Sequence, residues 1–292
     1  MIHKKKKYYS VKIRSLPFAT LFSAIKRTVK IKYILIVLLF GILSCEKVID
    51  VDLNDSNPEI VIEGNLSKFP LLAEVKLSKT RNYFGDSFGE KISGALVVIE
   101  NELGESYELE EIDEGLYISF NIAPEQSMLY NLSVETGGEI YEASSTLQKR
   151  VRLDSLNSIY DNGFAFLDEG YIVRAYFTDP ADIKNYYRIK IFENDILKNE
   201  YDDFMIFDDR LIDGQHLEIT MRGNVFDIDD NVSIQLISLD KSAFEFYNTF
   251  RELININPST AAPSNPISNL SNGALGYFSV WSSDIKSITI SE

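Results

Sequence analysis

The sequence contains one cysteine, one tryptophan and two histidines among 292 residues. One thiol cannot close an intramolecular disulfide, so stability must come from apolar burial. Beyond Cys45 only one histidine remains, His216, and no cysteine. The usual ligand set of a zinc site is therefore missing. A serine–histidine–acid triad would have to use His216, which sits in "DGQHLEI" with no nucleophile-elbow motif nearby. A structural or solvent-facing role suits it better. No glycine-rich phosphate cradle is present, because the glycines of "NGALGYF" lack a strand–loop–helix setting. Long apolar runs are missing too: the stretch 33–43 is eleven residues long, whereas a membrane-spanning helix needs ~20.

That short run has a context. Basic residues precede it (Lys4 to Lys7, Lys26, Arg27, Lys30 and Lys32), and no acid occurs before Glu46. It ends in Ile42-Leu43-Ser44-Cys45, which resembles the lipobox of bacterial lipoproteins. In that chemistry the cysteine sulfur takes a diacylglycerol, and the chain is cut before it. The residue before the cut must be small, as Ser44 is. The expectation is a signal peptide over 1–44 and an acyl anchor at Cys45, since several acyl chains hold a protein to a bilayer where one does not. The alternative, a buried thiol after a transmembrane anchor, does not account for the short core, the small residue and the cysteine together. The basic region is long for a signal peptide, which points to a start downstream of Met1.

Cleavage before Cys45 would remove ten Lys/Arg and no acid, moving the formal charge from −15 to −25, with 19 basic against 44 acidic residues. Nucleic acid is excluded as a partner, because phosphate binding needs basic stripes. Membrane attachment must then rest on the acyl anchor, and the acidic surface serves solubility.

Residues 45–58 read as an acidic tether. From Glu59 the chain reads as β structure: "EIVIEGNL", "AEVKLSKT", a hairpin through Asn101 to Gly104, "GLYISF", and a hairpin turning at Gly137-Gly138. About seven short strands without helical periodicity predict an immunoglobulin-like β-sandwich over 59–150. "QKRVRLDSL" reads as a junction, and its Asp154-Ser155-Leu156 resembles a Bacteroidota O-glycosylation tripeptide. A C-terminal β domain follows over 151–292, with long strands in "YIVRAYFTD" and "YYRIKIFEN". Its one helix, 240–254, is capped by Asp240 or Ser242 and lays Phe244, Tyr247, Phe250, Arg251 and Ile254 on the sheet. The predicted class is thus mainly β, with two consecutive antiparallel β domains.

The chemistry on offer is sparse. Paired carboxylates of the glycosidase kind cannot be picked out among 44 acids. Asp227, Asp229 and Asp230 in "DIDDN" gather the hard oxygens calcium prefers, and so do Asp208, Asp209 and Asp213, but neither run fits EF-hand spacing. Solvated β-turns explain both. The turn-rich stretch before the last strand is long for a loop without regular structure, and such loops are usually functional or disordered. Asn265, Asn269, Asn272, Tyr277, Phe278 and Trp281 give it and the strand after it an amide–aromatic surface suited to a partner or glycan; packing onto their own domain is the competing role.

The order of these pieces carries a resemblance. The lipobox cysteine is followed by "PEIVIEGNL", "GALVVIENELGESYELEE", "YNLSVETGGEIYEASSTL", "NYYRIKI", "SAFEFYNTF" and "PSNPISNLSNGALGYFS". Together they resemble the Bacteroidota lipoprotein family known as a domain of unknown function, number forty-two forty-nine. The resemblance covers nearly all of residues 45–292. It implies an outer-membrane lipoprotein, acting as accessory or ligand-capture subunit of a TonB-dependent receptor, with no catalytic residues and no cofactor. A surface adhesin or structural lipoprotein without a transporter is the alternative.

Overall fold

The structure is a computed structural model that describes residues 58–80, 89–163, 168–200, 203–254 and 264–292. The expected signal peptide, Ser44, Cys45 and most of the tether lie outside the described residues, as do 258–263 of the turn-rich stretch.

The chain is mainly β. The first half supplies β1 (Ile60–Ser67), β2 (Leu72–Lys79), β3 (Leu96–Asn101), β4 (Ser106–Glu108), β5 (Glu110–Asp113), β6 (Leu116–Ser119), β7 (Leu129–Thr136) and β8 (Glu139–Thr146). The second supplies β9 (Leu153–Asp161), β10 (Gly170–Thr178), β11 (Tyr186–Glu193), β12 (Ile196–Leu197), β13 (Met205–Asp208), β14 (His216–Thr220) and β15 (Asn231–Leu239). The helix α1 (Lys241–Ile254) and the 15-residue β16 (Leu275–Thr289) complete the chain.

A single large sheet runs in the order β12-β11-β15-β16-β1-β2-β6-β5, with β13 also on β11. Two smaller sheets cover one of its faces. The sheet β4-β3-β7-β8 lies over the β1–β2 end, closing a core of Ile62, Leu66, Val75, Val97, Ile99, Leu132 and Phe278. The sheet β14-β10-β9 lies over the β11–β15 end, around Val173, Phe177, Tyr187, Ile189, Ile234 and Leu236. The period-two alternation of β1, β2, β10 and β11 dictates this layering, because each strand has one apolar face to bury.

The division at residue 150 needs correction. Residues 53–292 form one compact unit. The reason is β16, whose first half pairs parallel with β1 and whose second half pairs antiparallel with β15. The core of the first sandwich is completed by Phe278 and Val280 from the far end of the chain. The basic junction is stitched to the shared sheet as well. Ser282 donates to Gln148 O, Ser238 accepts from Val151 N, and Asp284 pairs with Arg150 and accepts from Leu153 N. The parallel β1–β16 pairing is also an exception to the all-antiparallel expectation. The strands in "YIVRAYFTD" and "YYRIKIFEN" do not pair with each other: β10 belongs to the small sheet and β11 to the large one.

Two glycines permit the β1–β16 contact. A Cβ on Gly276, at φ +101, would stand 2.0 Å from Ile62 O, and one on Gly64 would stand 2.9 Å from the Phe278 ring. The hairpin at Gly137-Gly138 has both φ values positive, 61° and 83°, as a tight two-residue turn requires.

The helix packs on the large sheet's other face. Asp240 caps it, its Oδ1 accepting from Ala243 N at 2.9 Å. The inward stripe is Ala243, Phe246 and Tyr247, while Phe250 and Ile254 stay partly exposed. The stripe is therefore set about one residue from the expected one. Phe246 packs against Tyr277 with the rings tilted by 36° and their centroids 4.6 Å apart.

Candidate functional site

Strand alternation decides what the face that carries α1 displays beside the helix. On β1 the outward residues are Glu63, Asn65 and Ser67; on β2 they are Leu72, Glu74 and Lys76; on β16, Tyr277 and Trp281; on β11, Arg188 and Lys190. Together with Pro70, Ile237, Leu239 and Tyr247 they line a groove of about 330 Å³. A second hollow of about 600 Å³, bounded by Phe204, Phe246 and Phe250, shares Glu63, Lys76, Arg188, Tyr247 and Tyr277 with it.

The side chains hold one another in place. Asn65 Oδ1 accepts from Trp281 Nε1 at 3.2 Å, and Asn65 Nδ2 donates to the Tyr277 hydroxyl at 3.2 Å. Lys76 pairs with Glu74 at 3.0 Å. The Arg188 guanidinium sits against two adjoining rings, 4.3 Å from Tyr247 and 4.8 Å from Phe204, whose centroids are 6.0 Å apart. Lys190 Nζ sits 5.9 Å from the Trp281 ring. Both cations are half-buried, and neither has a carboxylate within 4.0 Å among the described residues. Burial, reinforced by Arg188, lowers the Lys190 ammonium from its usual range to about 8. Burial also pushes the Tyr247 phenol well above its usual range, so it stays a neutral wall.

The residues proposed from the sequence as a partner surface fall into different places. Tyr277 and Trp281 line the groove. Phe278 does not: it points to the opposite face and is 0% exposed in the first core. Asn269 is occupied by the Phe278 backbone, donating to its O at 2.8 Å and accepting from its N at 2.9 Å. Asn272 donates to Ile140 O at 2.6 Å, latching the turn to β8. Asn265 is exposed, away from the groove lining. Residues adjacent in sequence are thus separated by strand alternation. Sequence reasoning missed Glu63, Asn65, Arg188 and Lys190 because nothing local marks them; the two cations' i, i+2 spacing on a strand was the available signal.

The calcium candidates also need correction. Asp227, Asp229 and Asp230 form no three-carboxylate cluster with metal-ligating spacing. Asp230 accepts from Asn194 Nδ2 and Asp227 N, which lowers its carboxyl below the usual range, the Asn194 bond foremost. The run is a β-turn that closes on itself. Of the other run named from the sequence, Asp209 and Asp213 do converge, joined by Asp179 and not by Asp208: the ligand atoms of Asp179, Asp209 and Asp213 lie within 4.8 Å of one another, the first two residues buried. These could hold a hard cation. They also have structural work. Asp179 accepts from the Tyr187 hydroxyl and Gly214 N, Asp209 from Asn185 N, and Asp213 from Asp182 N. Burial, with Asp179 next, pushes the Tyr187 phenol upward.

His216 is exposed, with Asp154 at 3.3 Å and Thr178 at 3.1 Å, both at Nδ1. A catalytic relay needs the orienting acid and the nucleophile on opposite ring nitrogens, so this cluster has no relay geometry.

The fold and groove define a β-sandwich protein in which two sandwiches share one sheet, with a cationic, aromatic-walled hollow beside the helix on the sheet's other face. The chain belongs to the family described as Domain of unknown function (DUF4249), whose model matches residues 46–287. No curated protein matches the chain. Among the described residues no helix is long and apolar enough to cross a membrane.

Proposed function

We propose that this protein is a non-enzymatic lipoprotein of the outer membrane, anchored through acylated Cys45, that captures a ligand for a TonB-dependent receptor. The observation that supports the binding role is the groove: a concave, partly apolar hollow with a few convergent polar groups has the general form of a small-molecule site. The anchor rests on the Leu43-Ser44-Cys45 sequence, and the receptor rests on the family resemblance.

The test is a pull-down of the tagged protein from detergent-solubilised outer membrane, with mass spectrometry of the co-purifying proteins. One TonB-dependent receptor in near-equal amount is the expected result. Recovery of the lipoprotein alone, still acylated, would remove the transporter and leave adhesion or scaffolding. A Cys45→Ala protein found in the soluble fraction supports the anchor; one that stays membrane-bound removes it.

A further inference from the structure

We infer that the groove binds a small organic carboxylate, its anionic group held by Arg188 and Lys190 and the rest of the molecule lying against Trp281. This deepens the ligand-capture reading and rests on it.

The argument begins with charge. The protein carries 44 acids against 29 Lys/Arg, so counter-ions for its cations are plentiful. Yet Arg188 and Lys190, on one face of β11, are half-buried without a carboxylate partner among the described residues. Half-buried cations without a counter-ion are costly to maintain. The aromatic rings beside them offset part of that cost. An incoming anion would offset the rest.

The shape selects the kind of anion. The Arg188 guanidinium rests in the corner of two neighbouring rings, Tyr247 and Phe204, and its planar fork carries paired N–H donors that match two adjacent oxygens. The formal charge of the lining, from Glu63, Glu74, Lys76, Arg188 and Lys190, is +1. A monoanion neutralises that charge, whereas a phosphate dianion overshoots it. A groove of about 330 Å³ is at the small end of ligand sites, the scale of a sugar acid or a short-chain acid.

Lys190 makes the binding pH-dependent. The groups facing it are Arg188 on its own strand, Gln235 on β15, Glu74 and Lys76 from β2, Glu63 from β1, Tyr277 and Trp281 from β16, and Tyr247 from α1. Burial, with Arg188 beside it, brings Lys190 down to about 8. Affinity for an anion is then full below that value and falls as the pH rises through it.

Trp281 is the single tryptophan of the chain, so its fluorescence reports on this groove alone. The experiment titrates the full protein with D-glucuronate and with hexanoate, each against its neutral counterpart, D-glucose or 1-hexanol, and with inorganic phosphate. It is run well below and well above the Lys190 transition, on wild type, Arg188→Gln and Lys190→Met, each checked for a native melting transition. The expected result is a saturable change with at least one acid, about tenfold weaker in either variant and at high pH. Lys190→Met should lose the pH dependence while keeping residual binding through Arg188. Three results would overturn the inference: no saturable change with either acid, an equal response to the neutral counterpart or to phosphate, or affinities unchanged in both variants. A receptor that co-purifies in the pull-down while no acid binds would sink this inference alone. Acid binding with no receptor would sink only the transport role.

Discussion

At the residue scale, the side chains that matter most are set by strand alternation, which sends Tyr277 and Phe278 to opposite faces of one sheet. Gly276 illustrates the cost of a wrong atom at the shared seam. Its φ of +101 disfavours any side chain, and a Cβ would stand 2.0 Å from Ile62 O. Gly276→Ala is expected to destabilise the protein by ~3 kcal/mol or more, read by urea denaturation. Lys190 gives a prediction of opposite sign. Its folded pKa of about 8 lies below the ordinary value of 10.5, so between these values the unfolded chain binds more protons and stability rises with pH. The penalty of burying the charge is full below the folded value and vanishes above the unfolded one. Lys190→Met should therefore stabilise the protein near neutral pH by about 1–2 kcal/mol, after allowance for solvent screening. The gain should close above the ordinary lysine value, as followed by denaturation across a pH series.

At the element scale, local signals were sufficient where the physics is local. The Gly137-Gly138 turn announced its hairpin, and Asp240 announced its helix, because φ and capping preferences act over a few residues. Asp240 does more than cap: its Oδ2 also accepts from Thr146 N at 3.2 Å, tying α1 to the end of β8. Asp240→Ala should cost about 1–2 kcal/mol, measured by equilibrium unfolding, while Ser242→Ala should cost little, since Ala243 N bonds to Asp240. The helix stripe was harder to place. Aromatics at 244, 246, 247 and 250 fit more than one face at helical spacing, and only packing against Tyr277 and Tyr186 selects among them. Of the groove only Tyr277 and Trp281 were legible, because its cations come from β11 and its amide from β1. No local pattern relates strands that meet only through β15 and β16.

At the scale of the whole molecule, the mainly β class was readable from alternation, but the dependence of each half on the other was not. The seam between them pairs Ile62 with Gly276 and Leu66 with Val280 across most of the chain, and such long-range pairing leaves no mark in either segment alone. A fragment ending at Arg150 would retain β1–β8 but lack Phe278 and Val280 from its core. It is expected to stay unfolded by circular dichroism and proton NMR, whereas the body 53–292 should unfold in one cooperative transition. Two separate transitions, or a folded N-terminal fragment, would show the seam to be dispensable.

The seam also has a mechanical consequence. Tension applied through the residues before Ile60 enters the body at the N-terminal end of β1, which is hydrogen-bonded along its length to β2 on one side and β16 on the other. A pull along the strand axis therefore strains both ladders in shear, many hydrogen bonds at once, instead of peeling them one by one from an edge. A protein held by a leash at this point would resist force at the strand where its two halves are joined.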